Sequence, residues 1–301
     1  MSYTVRPLKK SISNRLSRSP NSQKYYISEC AEHMKTHKTT ANWIDVLKIL
    51  KLVSDPRDID LQKSQLLLAT LKKEKEIIVK IGDNNKITEE FEMGNKLKSI
   101  KGFIKYICYF ECNDNYRRYF DKSKIPNELC DGSGTEMKII LMPYYKLGSI
   151  ADYKWTHENI NVLQSVIKSA VLTMIYAYNK KGIIHGDFHA GNVVLKETKQ
   201  KTISFDGIRI ELFGIRTLIM DFENTYISDK KDLRHLADFY YDLKKFFTLL
   251  QTQIKNIDRV NISKIELFIN KHSLNQNKLS QKDCEELCQL IDAHITISQY
   301  L

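Results

Sequence analysis

Short apolar runs separated by polar turns dominate the first half of the chain. LLLAT (66–70) and EIIVKIG (76–82) flank a charged turn, which predicts a two-stranded hairpin. GFIKYICYFEC (102–112) and MKIILMPYY (137–145) predict two further strands with a polar surface loop between them. In contrast, ITEEFEMGNKLKSI (87–100) has helical spacing and acids in its first turn. We therefore expect a strand-rich unit with one helix.

Ahead of the first strand, residues 42–53 (NWIDVLKILKLV) have apolar positions at helical spacing and predict a short amphipathic helix. The period changes at His157, from which apolar residues recur every three or four positions. This pattern predicts a long buried helix that runs to about Lys180 and is ended by Gly182. A strand-rich segment follows, and the pattern is helical from Asp232 onward. Together the two halves predict the α+β class.

Composition predicts an intracellular, cytoplasmic protein. The 301 residues are 42% apolar, which is enough for a substantial core. No uninterrupted apolar run approaches the roughly 18 residues that cross a bilayer, and the first residues lack the apolar core of a secretory signal. We therefore expect no membrane span. The six cysteines should stay reduced in that compartment.

The net charge of +11 favours an anionic partner or substrate. Part of the excess lies in residues 1–28, which contain six basic residues and no acid. This serine-rich segment predicts a mobile basic tail over residues 1–40 that contacts nucleic acid or is phosphorylated. A solvated tail without a specific partner is an equal alternative.

Some spacings resemble metal sites. The cysteines of CYFEC (108–112) and DCEELCQLI (283–291) are four residues apart, but these segments predict a strand and a helix, and zinc knuckles use tighter turns. His185, Asp187 and His189 alternate, so on a strand they would share a face and could bind a metal. The residues that follow them favour a different chemistry.

The stretch IIHGDFHAGNVVL (183–195) places an acid and an amide between two apolar runs. Asp187 precedes Asn192 by five residues, a spacing that lets a tight loop present a carboxylate to an acceptor hydroxyl and an amide oxygen to a metal. Asp221 ends the apolar strand of LIMDFEN and offers the hard oxygen that magnesium prefers. Lys80 interrupts the apolar strand IIVKI, where an ammonium is costly unless it is paired. Phosphoryl transfer uses these groups together.

Four motifs occur in one characteristic order along the chain. They are HGDFHAGN, the Asp221-Phe222-Glu223 triplet, the Val79-Lys80 strand and LMPYYKLGS (141–149). Together they resemble the protein-kinase-like superfamily over a stretch from about Leu61 to Leu250. The resemblance implies a bilobed fold and an activity that depends on ATP and Mg²⁺.

The resemblance assigns the chemistry to four residues. Asp187 is the catalytic base, and Asn192 and Asp221 hold Mg²⁺. Lys80 contacts the phosphates of ATP, so it belongs with Asp187 and Asn192 to the catalytic set.

The resemblance also assigns the remaining nucleotide contacts. Glu92 is the predicted helix partner of the phosphate-binding lysine, with Glu89 one turn earlier as the alternative. Met142 would lie at the back of the adenine pocket. Pro143 to Tyr145 would connect the lobes, with the carbonyl of Pro143 and the N–H of Tyr145 facing the base.

The implied domains are the basic tail, an N-lobe over residues 41–143 and a mainly helical C-lobe over residues 144–301. The implied function is a serine/threonine-protein kinase. The H-G-D-x-H-x-x-N form and the Lys-, Asn- and Ile-rich composition are most similar to divergent kinases of large cytoplasmic DNA viruses. This resemblance also implies that the protein could be associated with the virion. A protein is then the expected substrate, and the sequence leaves the oligomeric state open.

Departures from the family pattern keep two alternatives open. No glycine occurs between Lys51 and Ile81, so the usual glycine-rich loop is missing, and Gly186 replaces the usual arginine. Only about ten residues separate Asp221 from the next helix, which favours a small-molecule acceptor of the aminoglycoside or choline type. Glu223 in place of glycine supports a pseudokinase that binds partners or nucleic acid.

Overall fold

The computed structural model describes most of the chain beyond residue 46. The described residues are 47–52, 65–71, 75–82, 84–111, 138–228, 233–254, 257, 259–274 and 278–297. Within them the protein has five α-helices and several small antiparallel sheets, so the predicted α+β class is confirmed. The predicted basic tail lies outside the described residues.

The chain divides into two compact units. The C-terminal unit combines residues 96–104 with those from 145 onward, and the N-terminal unit holds the other described residues up to 144.

The N-terminal unit is built on a five-stranded antiparallel sheet in the order β1-β2-β3-β5-β4. Its strands are β1 (Leu47–Leu52), β2 (Gln65–Leu71), β3 (Lys75–Gly82), β4 (Cys108–Glu111) and β5 (Lys138–Pro143). The predicted hairpin is confirmed, because β2 and β3 pair in continuous register from Gln65 opposite Ile81 to Leu71 opposite Lys75. Alternating inward side chains such as Ile77, Val79 and Ile81 are fully buried.

The helix predicted over residues 42–53 is wrong where the structure describes it. Leu47–Leu52 is a strand that pairs with β2, with an irregularity between Ile49 and Lys51. Apolar and basic residues alternate in this segment except at the adjacent Ile49 and Leu50, and the segment also has helical spacing, so it cannot be assigned by period alone. Pairing with the apolar strand β2 decides the outcome.

The helix α1 (Asn84–Leu97) begins and ends three residues earlier than predicted. Its buried positions recur at helical spacing and include Ile87, Glu90 and Leu97. The strand predicted from residue 102 starts only at Cys108: Gly102 has a φ of +94°, and the N–H of Ile104 donates to the carbonyl of Ile219 instead. A Cβ at Gly102 would lie 2.3 Å from Thr173 Oγ1, so only glycine fits this turn.

The C-terminal unit combines four helices with three two-stranded antiparallel sheets among the described residues. The helices are α2 (Ile160–Lys181), α3 (Leu233–Gln253), α4 (Arg259–Ser273) and α5 (Gln281–His294). The strands are β6 (Ile183–Ile184), β7 (Val193–Glu197), β8 (Thr202–Phe205), β9 (Ile208–Glu211), β10 (Ile215–Ile219) and β11 (Tyr226–Ile227). Strand β6 pairs with β11, β7 with β10 and β8 with β9.

The long predicted helix is confirmed as α2. Gly182 ends it with a φ of 70°, and its N–H donates to the carbonyl of Tyr178. Of the described residues, only the stretch His157–Lys181 is long and apolar enough to cross a membrane. Within the fold 67% of that stretch is buried, as in the core helix of a globular domain, so it is weak evidence for a span.

The cysteines of DCEELCQLI lie on the predicted helix, α5. Burial raises the pKa of Cys284 to about 12 and that of Cys288 to about 11. Both thiols are therefore protonated at neutral pH. Residue 112 of the other pair lies outside the described residues.

Candidate active site

Two of the three predicted catalytic residues, Asp187 and Asn192, lie on the loop 185–192, which joins β6 to β7 in the C-terminal unit. Both ends of the loop are anchored in two-stranded pairings: Ile184 faces Tyr226 in β11, and Val193 faces Ile219 in β10. The loop ends in a short 3-10 turn, Ala190–Asn192. The path of the chain is therefore fixed on either side of Asp187.

His185 is fully buried and both ring nitrogens are engaged. Nε2 lies 2.9 Å from the carbonyl oxygen of Met220, and Nδ1 accepts from the N–H of Asp187 at 3.3 Å. These partners require the proton on Nε2, and burial lowers the pKa of His185, so the ring is neutral. His185 is thus a structural residue, and a His185–Asp187–His189 metal triad is wrong because this imidazole has no free nitrogen.

Gly186 occupies a position that excludes a side chain. Its φ is +75°, and a Cβ would lie 2.4 Å from the carbonyl oxygen of Asn224. Its N–H donates to Oδ2 of Asp242 at 2.8 Å, as does the N–H of His185. The backbone geometry at position 186 therefore requires glycine.

Asp187 holds a partly exposed carboxylate between two basic groups. Oδ1 lies 2.6 Å from Lys245 Nζ, and Oδ2 lies 3.6 Å from His189 Nε2. The pKa of Asp187 is held far below its usual range, first by His189, against the effect of partial burial, and then by Lys245. The carboxylate is therefore ionised at every physiological pH.

Asn192 lies beside Asp187 and faces the end of β10. Its Nδ2 donates to the carbonyl oxygen of Asp187 at 3.0 Å, and its own carbonyl accepts from the N–H of Met220 at 2.9 Å. The side-chain amide donor is thus used within the loop, which leaves the amide oxygen as the group that can bind a cation. Residue 192 is buried, with 6% of its surface exposed.

Asp221 lies two residues after Ile219, the last residue of β10. Its backbone is left-handed, with a φ of 68°, which is uncommon for a residue other than glycine and typical of constrained functional positions. A carboxylate oxygen of Asp221 and one of Glu223 lie within 4.8 Å of each other. Carboxylate and amide oxygens at Asn192 and Asp221 are a hard donor set that fits Mg²⁺.

The sequence interpretation missed the part of helix α3 that holds the loop. Four side chains of α3 contact successive loop residues. They are Asp242 at His185 and Gly186, Lys245 at Asp187, Phe246 stacked on Phe188, and Gln253 at His189 and Ala190. Successive residues of the loop therefore contact successive turns of α3.

A signal for this helix face was present in the sequence. Asp242 lies three residues after Phe239 and four before Phe246, both of which are fully buried apolar positions. An acid on an apolar stripe must find buried donors, and here they are backbone N–H groups of the loop 185–192. Lys245, one turn further on, lies at the edge of the same stripe.

Lys80 is buried on β3 of the N-terminal unit and is paired with an acid of α1. The pair is Lys80 Nζ with Glu90 Oε2 at 2.6 Å, and Tyr106 donates to the other carboxylate oxygen of Glu90, also at 2.6 Å. The predicted partners Glu92 and Glu89 are wrong, because both are exposed whereas Glu90 lies on the buried face of the helix. The expectation that Lys80 needs a carboxylate partner is confirmed.

The predicted adenine contacts lie at the end of β5. Met142 is 1% exposed and faces Ile78 across the sheet, and Pro143 faces Ile77. Tyr145 begins the C-terminal unit, where its carbonyl accepts from the N–H of Gly148. The nucleotide roles of Met142, Pro143 and Tyr145 stay predictions.

No protein-family model matches this chain, and no curated protein is significantly similar to it. The function has to be judged from the residues of the site.

Proposed function

We propose that this protein is an ATP- and Mg²⁺-dependent phosphotransferase with a bilobed protein-kinase-like fold, acting on serine or threonine hydroxyls of proteins. One observation supports this most: Asp187 keeps an ionised carboxylate within hydrogen-bond range of Lys245 and beside Asn192. Asp221 lies at the end of the strand next to Asn192. An acceptor-orienting acid, a cation and two hard oxygen ligands are the groups that phosphoryl transfer uses.

The main role of Asp187 is to orient the acceptor hydroxyl, and its role as a base is secondary. A carboxylate whose pKa lies far below neutrality is a weak base, so its main contribution is to accept a hydrogen bond and fix the direction of attack. The hydroxyl proton would move to Oδ2 only as the new oxygen–phosphorus bond forms and the bond from the γ-phosphorus to the bridging oxygen breaks, with ADP as the leaving group. Asn192 stabilises this geometry through its bond to the carbonyl of Asp187.

Lys245 supplies positive charge at the acceptor side of the site. Its side chain is 28% exposed, so it can contact a bound group while remaining near Asp187. Negative charge that develops on the transferred phosphoryl oxygens would be stabilised by this fixed cation. Lys80, held charged by Glu90, would contact the phosphates of the nucleotide.

Asn192 and Asp221 would hold the metal through their side-chain oxygens. When bound, Mg²⁺ neutralises charge on the nucleotide phosphates. The left-handed backbone of Asp221 directs its carboxylate at a cost of about 1 kcal/mol or more, which supports a functional reason for that conformation.

A second candidate keeps the chemistry and changes the acceptor to a small aminoalcohol or aminoglycoside. It is favoured by the segment after Asp221, which is short and bound to β6: Tyr226 and Ile227 pair with β6, and the N–H of Ser228 donates to the carbonyl of Gly182. A peptide acceptor usually docks on a longer segment at this place.

Nucleotide titration tests the proposal. ATP with Mg²⁺ should raise the melting temperature saturably, and ATP with a chelator should do so less. The protein should then transfer labelled γ-phosphate to a basic protein or, under the second candidate, to an aminoalcohol. Stabilisation by ATP without metal dependence and without transfer to either acceptor or to water would reject the enzyme and favour a pseudokinase.

A further inference from the structure

A pair of cations lies face to face on the sheet that carries the candidate active site. Lys196 on β7 and Arg216 on β10 are direct register partners, so their side chains leave the same face of the sheet. Both are partly buried. Like charges directly opposite each other on neighbouring strands destabilise a sheet, so this arrangement calls for a compensating charge.

No protein carboxylate provides that charge within the part of the chain that the structure describes. Lys196 and Arg216 form no ion pair there, and the side chain of Arg216 makes no hydrogen bond. Nε of Arg216 is buried without an acceptor. The nearest acid in sequence, Glu197, lies on the opposite face of β7 because side chains alternate along a strand, and it is exposed.

The aromatic ring of Tyr145 lies beside these two cations, and the three side chains of Tyr145, Lys196 and Arg216 are together called the cradle. Lys196 Nζ lies 5.8 Å from the centre of the Tyr145 ring, within range of a weak cation–π contact. Burial raises the pKa of Tyr145 to about 12, so the phenol stays a neutral donor. Burial, followed by the neighbouring Arg216, lowers the pKa of Lys196, in keeping with two cations held together.

We propose that the side chains of Tyr145, Lys196 and Arg216 form a binding site for a phosphate group that does not include the predicted acceptor and metal residues Asp187, Asn192 and Asp221. A buried guanidinium N–H without an acceptor costs free energy until an anion accepts from it. Arg and Lys together offer two charges, which match a phosphate dianion, whereas one carboxylate would neutralise only one of them. Lys196 lies four residues along β7 from Asn192, roughly 13 Å at the rise of an extended strand.

The proposal does not rest on the phosphotransferase activity. The same chemistry is presented by free inorganic phosphate and by a phosphorylated serine of a protein, and the two sources can be compared directly. Calorimetric titration at constant ionic strength should give saturable binding of inorganic phosphate to the wild-type protein. A phosphoserine peptide that binds more tightly than both free phosphate and its unphosphorylated form would identify a protein ligand.

Arg216→Gln should weaken phosphate binding roughly 10-fold or more, because it removes charge-assisted hydrogen bonds. Lys196→Gln should act in the same direction, and it serves as the second variant if the first does not fold. Arg209→Gln, at an exposed arginine on β9, is the matched control and should bind like wild type. In phosphate-free buffer either cradle variant should melt no lower than wild type, since like-charge repulsion is removed.

Absence of saturable phosphate binding by the wild type would overturn the proposal. Equal affinity of the wild type, Arg216→Gln and Lys196→Gln would also overturn it, because phosphate would then bind elsewhere. If the wild-type protein binds phosphate at these residues but is not stabilised by ATP, the proposed enzyme is rejected and the proposed phosphate site is retained.

Discussion

Two ion pairs in this protein join a lysine to a carboxylate at the same distance, 2.6 Å, in different surroundings. In the N-terminal unit, the side chains of Lys80 and Glu90 are 5% and 1% exposed. In the C-terminal unit, those of Lys245 and Asp187 are 28% and 32% exposed. The carboxylate of the first pair is almost fully buried and stays on its lysine, whereas water or a ligand can compete for both groups of the second pair.

The difference in burial separates two uses of charge. Removing one member of a buried pair leaves an uncompensated charge in a dry environment, so such a pair mainly fixes geometry. A partly exposed pair has little net effect on stability because water competes for both groups. Lys80–Glu90 should therefore govern folding and the position of the lysine, and Asp187–Lys245 should govern turnover.

Asp187→Asn should have the largest effect on activity. The amide cannot take the hydroxyl proton and loses its charge, so turnover should fall by about 10²–10⁴-fold. Nucleotide-dependent stabilisation should persist, since the substituted side chain faces the acceptor. Steady-state transfer of labelled phosphate and a thermal-shift titration measure the two effects. Asp206→Asn, at an exposed acid on the β8–β9 turn, is the control. Wild-type turnover in Asp187→Asn would remove its assigned role.

Glu90→Gln should have the largest effect on stability. It leaves the ammonium of Lys80 buried without its carboxylate, which costs about 3–5 kcal/mol of unfolding free energy. Urea denaturation followed by circular dichroism measures the loss. Glu92→Gln changes an exposed acid two residues further along the same helix and should lie within about 0.5 kcal/mol of wild type. Equal effects of the two substitutions would contradict the pairing.

Lys245→Met should have a small effect on stability and a clear one on turnover. The pair is partly exposed, so about 0.5–1 kcal/mol of stability should be lost at pH 7, while turnover falls roughly 10-fold with an unchanged Michaelis constant for ATP. Lys244→Met, at the exposed neighbouring residue, should change neither.

The pH dependence of Lys245→Met separates positioning from general packing. Asp187 has a lowered pKa in the folded state, so its contribution to stability is present above the usual aspartate value of about 3.9 and is lost as the pH falls towards the folded value. The stability difference between wild type and Lys245→Met should therefore narrow below about pH 4. A difference that stays constant down to pH 2 would indicate lost packing instead.

Local patterns predicted the parts of the fold that depend on local chemistry. The β2–β3 hairpin and α2 with its Gly182 cap follow from short-range spacing and one glycine, and both were found. β1 was missed because its short run satisfies both periods until the neighbouring strand is known.

The site residues also show that sequence patterns predict local neighbours but not neighbours made by tertiary packing. Asp187 and Asn192 could be placed together because they share one loop, whereas Lys245 is 58 residues from Asp187 and becomes its neighbour only through tertiary packing. The choice of Glu92 instead of Glu90 as the partner of Lys80 had a different cause. Glu90 lies three residues after Ile87 and seven before Leu97, on the inward face, so correct use of the helical period would have selected it over Glu92.

The contacts of the loop 185–192 with α3 set an order for the local unfolding of this loop. Asp242 holds the start of the loop from the middle of the helix, whereas Gln253 holds Ala190 from the last residue of α3. Helix ends fray before helix centres. Brief opening should therefore release the His189 side of the loop first and reach the Gly186 turn last, so the imidazole can be freed while the backbone beneath Asp187 stays in place.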